Sequence, residues 1–385
     1  MTSRDLDRML SRLVAEIERI ETTRQRFGDV MRRIKWDVDL SRFPAVVADL
    51  VGTEFVKQIK PVSLAGLSIA GVDGGLVRRS FRSMNIVLTR GVAVVFRFRH
   101  DGPVVDFYPD PFPEPNAEFM GVTYTGIELD QLATLQRIST ELKVALSVLD
   151  EFHSDIMLMD GSLFFHPRDR PPSSSAAFEK FQEVLALYRQ LYNKVRKKRT
   201  VLVGIVKDSR STRLVNMLGD ILPHLLRDQK LFEMMRGVDY RWLLRVSRDC
   251  DILDTFLDEG ERTAVFRYAS ELVQTHNSMD DLAKWANAIW VTYVKTARDD
   301  LPLRVEILAD EAGSMETIDK TLAALLPLSS HHPEYGIPTP ILEADARARI
   351  TNKETQLIMD RLMALSGLTY VSLEKRRSRN PFGGG

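Results

Sequence analysis

The sequence predicts an α/β protein built on a mixed sheet flanked by helices. Three observations carry that prediction: the order in which strand-like and helix-like segments alternate, the arrival of Asp-Gly at two apolar runs, and a composition that supplies a large core. Of the 385 residues, 44% are hydrophobic, which is the composition of a globular protein rather than of a disordered chain. Lys plus Arg and Asp plus Glu each total 53, so the net charge does not advertise a nucleic-acid binder. The single cysteine, Cys250, excludes an internal disulfide framework and a cysteine-cluster zinc site, and it is expected to be a buried thiol. No apolar run approaches the roughly 18 to 20 residues of a bilayer span, and the first segment, MTSRDLDRMLSRLVAEIERI, is charged throughout. The expectation is a cytoplasmic protein with no membrane contact and no secretory signal.

Residues 4–36 carry Leu6, Met9, Leu10, Leu13, Ile17 and Ile20 between dense charges, the period of an amphipathic helix that packs or pairs. After a loop-like stretch with Phe43 and Pro44 come LSIAGVDGG, SFRSMNIVLTR and GVAVVFRFRH, which read as three strands of an antiparallel meander, the last two joined at Arg90-Gly91. The Pro-rich YPDPFPEPN (108–116) interrupts the pattern. A helix is expected over 128–151, then a buried strand IMLMD, a loop, a helix over about 176–197 and the strand TVLVGIV. That order, three strands followed by helix, strand, helix, strand, suits a meander extended by parallel crossovers. A mostly helical insertion follows over about 208–300, then a strand at 301–308, a helix near 315–326, the turn-rich SSHHPEYGIPTP and a closing helix over 341–365. Three divisions result: an N-terminal helical segment over 1–45 that contacts a second copy or partner, a main domain over 46–370, and a basic flexible tail over 371–385. There is no internal repeat.

Acidic residues fall at telling places. SIAGVDGGLVRRSF puts Asp73 at the end of the first strand, and DIMLMDGSLFF puts Asp160 at the end of a later strand of the same sheet. On the helix between them Glu141 sits at the edge of the stripe made by Ile138, Leu142, Ala145, Leu146 and Leu149, where a carboxylate is costly unless paired or metal-bound. Asp345 stands one turn into the last helix. Three or four converging carboxylates suit a hard divalent cation, and two such ions about 4 Å apart would serve phosphodiester hydrolysis. From the residues alone, hairpin turns at Asp-Gly and helix-edge ion pairs remain the alternative. Basic islands at NKVRKKRT, VRRSFR and EKRRSRN are solvated ends or contacts to a polyanion. No GxxxxGK phosphate loop occurs, so the chain itself is not expected to hydrolyse ATP.

The order of elements resembles the ribonuclease H-like fold. The segments AGVDGG, QRISTELKVAL, IMLMDGSL, GIVKDSRSTRL and GIPTPILEADARARI, taken in sequence over residues 68 to 350, resemble the motifs of the NurA family, nucleases that partner the HerA hexameric DNA translocase in end resection. The resemblance implies Asp73, Glu141 and Asp160 as ligands of manganese or magnesium, two ions per site, in a DNA nuclease acting on ends or single strands as an endonuclease or 5′–3′ exonuclease. It favours a phosphate contact for Lys207 over a plain strand end, with Ser209, Arg210 and Arg213 opening a helix beside it; Arg78, Arg79 and Arg82 read as lining the DNA path or as a solvent-facing hairpin edge. It also implies a homodimer docked on a HerA-type ATPase, in repair or defence. The last motif departs from the family pattern: Ile337 and Thr339 stand where tyrosines are usual, and Asp345 where a histidine is usual. Asp345 is then an altered fourth ligand, whereas His331 and His332 read as exposed loop residues. The departure also admits a catalytically weakened DNA-binding scaffold of the same ATPase complex, and an enzyme acting on RNA or branched DNA is the third reading. Phe81, Phe96 and Phe98 read as sheet packing.

Overall fold

The computed structural model describes residues 3–44, 50–82, 84–121, 124–165, 169–268, 285–309 and 314–367. The tail expected over 371–385 lies outside them, as do residues 269–284 of the expected helical insertion. In chain order the elements are α1 (Ser3–Ile34), β1 (Leu50–Gln58), β2 (Ser68–Ser80), β3 (Asn85–Arg99), β4 (Gly102–Tyr108), β5 (Asn116–Met120), α2 (Gly126–Glu151), β6 (Ile156–Asp160), α3 (Ala177–Lys198) and β7 (Val201–Val206). There follow α4 (Arg213–Leu225), α5 (Gln229–Met235), α6 (Tyr240–Val246), α7 (Asp249–Leu253), β8 (Glu261–Arg267), β9 (Ile289–Val294), β10 (Leu303–Leu308), α8 (Ser314–Ser329), α9 (Thr339–Ala348) and α10 (Asn352–Ser366). The chain divides into two compact units, one of Met1–Ser63, Ile205–Glu271 and Ala286–Pro338, the other of Leu64–Gly204, Leu272–Trp285 and Thr339–Gly385. No helix among the described residues is long and apolar enough to cross a membrane.

The second unit holds the predicted mixed sheet flanked by helices. Its strands run in the order β4-β3-β2-β6, with β7 next to β6 and β5 on β3. β2, β3 and β4 form the antiparallel meander, and β6 lies parallel to β2 across the α2 crossover. Alternation along the strands sorts the core onto two faces. Val87 of β3 packs with Met120, Leu129 and Ala133 on the α2 side. Leu88 packs with Ile350, Met359 and Met363 beside α10, and Val92 and Val94 pack with Ala344 and Ala348 of α9. Phe81 is in that core, and Phe96 stacks on Phe98 with ring centroids 6.0 Å apart, so these aromatics are sheet packing as expected. α2 begins at a capping box in which Thr125 and Glu128 exchange hydrogen bonds, which satisfies amide groups that the first turn leaves open.

Details of this unit differ from the sequence reading. The segments assigned to two strands joined at Arg90-Gly91 are one strand, β3, and the turn of the hairpin lies between Ser80 and Asn85. Gly91 pairs with Gly74, and a Cβ at Gly91 would stand 2.9 Å from side-chain carbons of Thr140 and Val144, so this glycine marks close packing of α2 rather than a turn. The third strand of the meander is β4. The closing helix is two, because Thr351 caps α10 through Glu354 and ends the run begun by α9.

The first unit pairs β1, β8, β9 and β10 in that order, antiparallel throughout. The stretch read as mostly helical therefore contains β8 and β9. IWVTYV is buried at every residue, and a strand covered on both faces shows no alternation to read. The core gathers Phe27, Met31, Leu40, Phe55, Leu218, Ile252, Phe256 and Tyr293. Lys35 is buried among Glu261 at 2.6 Å, Asp258 at 2.7 Å and the Phe256 carbonyl at 2.9 Å, so its charge is matched where water is excluded. The later turns of α1 enter this core, whereas Leu6, Met9, Leu10, Leu13 and Ile17 are exposed. Cys250 is buried, its thiol donates to the Pro302 carbonyl, and burial pushes its pKa up to about 12, as suits an inert side chain.

Candidate metal centre

The parallel ladder brings the two Asp-Gly aspartates together. Ile69 pairs with Ile156 and so on to Val72 with Met159, so the next residues outward are Asp73 and Asp160. Neighbouring strands lie about 4.8 Å apart, and in-register residues share a face. β6 then stops: Gly161 has φ +99°, a conformation that favours glycine, while β2 runs on to Ser80. Asp73 is thus mid-strand, not terminal as the sequence suggested, and only the second Asp-Gly ends its strand.

Helix α9 supplies a third acid. It lies directly on the backbone of β2, where a Cβ at Gly71 would stand 2.3 Å from the Pro340 carbonyl and one at Gly75 would stand 1.9 Å from the Ala348 carbonyl oxygen. These odd-numbered positions share the face of Asp73. Asp345 of α9 completes a cluster in which Asp73, Asp160 and Asp345 each offer an oxygen within 4.8 Å of the others. Asp73 is buried and the other two are half-buried. We expect Gly75→Ala to displace α9 and to destabilise the protein by about 3 kcal/mol, with loss of any metal-induced rise in melting temperature; a differential scanning fluorimetry series with and without Mn2+ reads both.

Arg90 of β3 holds the far end of that helix. It is buried, with its guanidinium 3.4 Å and 3.2 Å from the carbonyl oxygens of Arg347 and Arg349 and 2.6 Å from Glu354. The hydrogen bond from Arg90 is the foremost cause that holds the Glu354 carboxyl down to about 2. Because this carboxyl is lowered from its ordinary 4.5, the stability it supplies is present above about 4.5 and is lost as the pH falls towards 2. Arg90→Met is expected to cost about 3 kcal/mol at neutral pH, and the difference from wild type should shrink on acidification in chemical denaturation at stepped pH.

Glu141 approaches from the opposite face. Its Oε1 would stand 2.5 Å from a Cβ on Gly74, so the missing side chain there makes room for the carboxylate. Glu141 is buried and accepts a hydrogen bond from Arg137 at 2.6 Å. Burial pushes its carboxyl up to about 7; Arg137 opposes that shift and the charge of Asp160 adds to it. Glu141 is therefore electrostatically coupled to the cluster without being one of its three close oxygens. Arg137, whose charge is felt by Asp73 and Asp160 as well, was missed from the sequence, although its i, i+4 spacing to Glu141 is the spacing of helix ion pairs.

The other predicted residues fall on several elements. Arg78 pairs with Asp130, and Arg78, Arg79 and Arg82 are exposed towards the end of β2 and its turn. Lys207, Ser209, Arg210 and Arg213 belong to the first unit. Ser209 is buried: its hydroxyl lies 3.4 Å from that of Tyr293, which donates to Asp249 at 2.8 Å, and Asp249 accepts the Val215 amide at 2.9 Å near the start of α4. Arg213 donates to the Arg267 and Tyr268 carbonyls and lies over the Phe266 ring, while Arg210 is exposed and Lys207 is half-buried. His331 and His332 are exposed, as expected.

The NurA domain family model matches residues 67–350, well over half of the chain and inclusive of Asp73, Glu141, Asp160 and Asp345. The chain belongs to the NurA family. Among solved structures this NurA-family chain is similar to the NurA nuclease from Sulfolobus solfataricus, with 14% identity over 96% of this chain and 99% of that one and a TM-score of 0.52. A NurA with manganese matches at 13% identity, over 94% of this chain and 98% of that one, with a TM-score of 0.45. A NurA bound to dAMP and manganese matches at 12% identity, over 94% of this chain and 98% of that one, with a TM-score of 0.42. At 14% identity the likeness to the Sulfolobus solfataricus structure is one of fold. No curated protein matches the chain. The three carboxylates of this member form an all-oxygen donor set with one buried ligand, which fits a hard divalent cation.

Proposed function

We propose that this NurA-family chain is a metal-dependent DNA nuclease, with Asp73, Asp160 and Asp345 as the residues that hold manganese or magnesium and Glu141 as a ligand recruited on loading. The convergence of three aspartate oxygens within 4.8 Å, contributed by two strands and a helix, carries the reading. Manganese or magnesium held by these residues, as two ions, would supply Lewis acidity and an acidified water for attack on a phosphodiester. The chain's own residues do the rest. Asp73 and Asp160 fix the donor oxygens on rigid strands, α9 presents Asp345, and the basic residues Arg78, Arg79 and Arg82 attract the phosphate backbone. Lys207 and Arg210 meet a phosphate; Ser209 and Arg213, committed to contacts within the first unit, serve that role by shaping the turn that carries them.

The family and the matched motifs support a partnership with a HerA-type hexameric ATPase, action on DNA ends or single strands in resection, repair or defence, and a cytoplasmic setting. The exposed apolar stripe of α1 supports the segment 1–45 as a contact to a second copy in a homodimer, with 46–370 as the nuclease domain and 371–385 as a basic tail for DNA. Asp345 within the acid cluster favours a working centre over a scaffold that has lost its site. The test is cleavage of end-labelled single- and double-stranded DNA with and without Mn2+ and with and without the ATPase. Metal-dependent cleavage is expected; absence of cleavage under every condition, in protein that still binds DNA, would establish the scaffold reading instead.

A further inference from the structure

Arg137 stands in an unusual position for a metal centre. It lies one helical turn before Glu141 on α2 and donates to its carboxylate at 2.6 Å, on a side chain 31% exposed against 7% for Glu141. The carboxylate it holds lies over Gly74, the residue next to Asp73, and Asp73, Asp160 and Asp345 bring oxygens within 4.8 Å of one another. Glu141 thus joins the guanidinium on one side to the strand that carries Asp73 on the other. The guanidinium and a divalent ion thus have claims on the same negative charge.

We infer that Arg137 is a resident counter-cation beside the centre and competes with the divalent metal for Glu141, so that it tunes the metal affinity and yields Glu141 when the metal enters. The inference rests on the metal-centre reading above and deepens it by naming what opposes loading. Three consequences follow from charge alone. Removing Arg137 removes a repulsion against the incoming ion and the ion pair that the ion must break at Glu141, so at an alkaline pH, where Glu141 is ionised, metal binds more tightly. Keeping the charge as lysine keeps the competition. Removing Glu141 removes the object of the competition, and the benefit of losing Arg137 then disappears. Arg137 is accordingly a positioning residue, acting through Glu141, and its partial exposure gives the displaced guanidinium a path to solvent.

Isothermal titration of Mn2+ into the full chain tests this without reference to cleavage. Arg137→Gln should bind Mn2+ about tenfold more tightly than wild type, and Arg137→Lys should bind close to wild type. In an Glu141→Gln background, Arg137→Gln should bring no tightening, which is the coupling a double-mutant cycle isolates. In wild-type protein, free of any folding defect, the Arg137 Nε–Hε resonance should shift as diamagnetic Mg2+ is added. Equal or weaker Mn2+ binding by Arg137→Gln, tightening that persists without Glu141, or a resonance unmoved at Mg2+ saturation each overturns the inference. Wild-type protein that binds no Mn2+ overturns the metal-centre reading and this inference with it, so the two failures are distinguishable.

Discussion

Replacing Asp160 by alanine is expected to lower Mn2+-dependent DNA cleavage by at least about a thousandfold while the protein stays folded. Asp160 sits at the end of β6, half-buried, where Gly161 turns the chain away. Its removal leaves the parallel register from Ile69 with Ile156 to Val72 with Met159 untouched. The metal-free variant should keep the wild-type fold, and the rise in melting temperature on adding Mn2+ should vanish. Asp73→Ala should behave alike in cleavage. Full activity in both purified variants would remove these residues from the centre.

The second large effect is a pH dependence seated on Glu141. Burial holds its carboxyl up at about 7 in the folded protein, against an ordinary value of 4.5. The folded state therefore holds the proton more tightly than the unfolded chain. The stability from this group is complete below about 4.5 and is lost as the pH rises through about 7, with no further change above. Glu141→Gln, which mimics the protonated form, should flatten that slope. The stability of wild type minus that of the variant should fall by on the order of 3 kcal/mol across this interval. Denaturant titrations of metal-free protein at half-unit pH steps measure it, and parallel curves for the two proteins would contradict the assignment.

Much of the site was legible in the sequence because the aspartates arrive on short apolar runs whose partners are set by the sheet. IMLMD is a strand with the bounds expected of it, and an acid at its end could point only to a neighbour in the same ladder. Glycine was the ambiguous signal. Gly91 reads locally as a junction of strands and Asp73-Gly74 as a possible turn, yet the neighbours of Gly74, Gly75 and Gly91 are Glu141, the Ala348 carbonyl and Thr140, so helices pressed against the backbone are the reason for these glycines. Nothing near Arg90 in sequence indicates that it binds Glu354, because a contact between residues so far apart is made by tertiary packing alone. β8 and β9 were hidden for a related reason, since burial on both faces erases the alternation by which strands are recognised. The break between α9 and α10 depends on Thr351 and Glu354, a capping box that was present in the sequence and was overlooked within an otherwise continuous helical pattern.

The account turns on whether Asp73, Asp160 and Asp345 together hold a divalent ion. Mn2+ titrated calorimetrically into wild type and into Asp73→Asn, Asp160→Asn and Asp345→Asn, each shown to be folded, tests that claim most directly. Saturable binding by wild type, weakened at least about tenfold in every variant, is the predicted result; three variants that bind Mn2+ as tightly as wild type would contradict it.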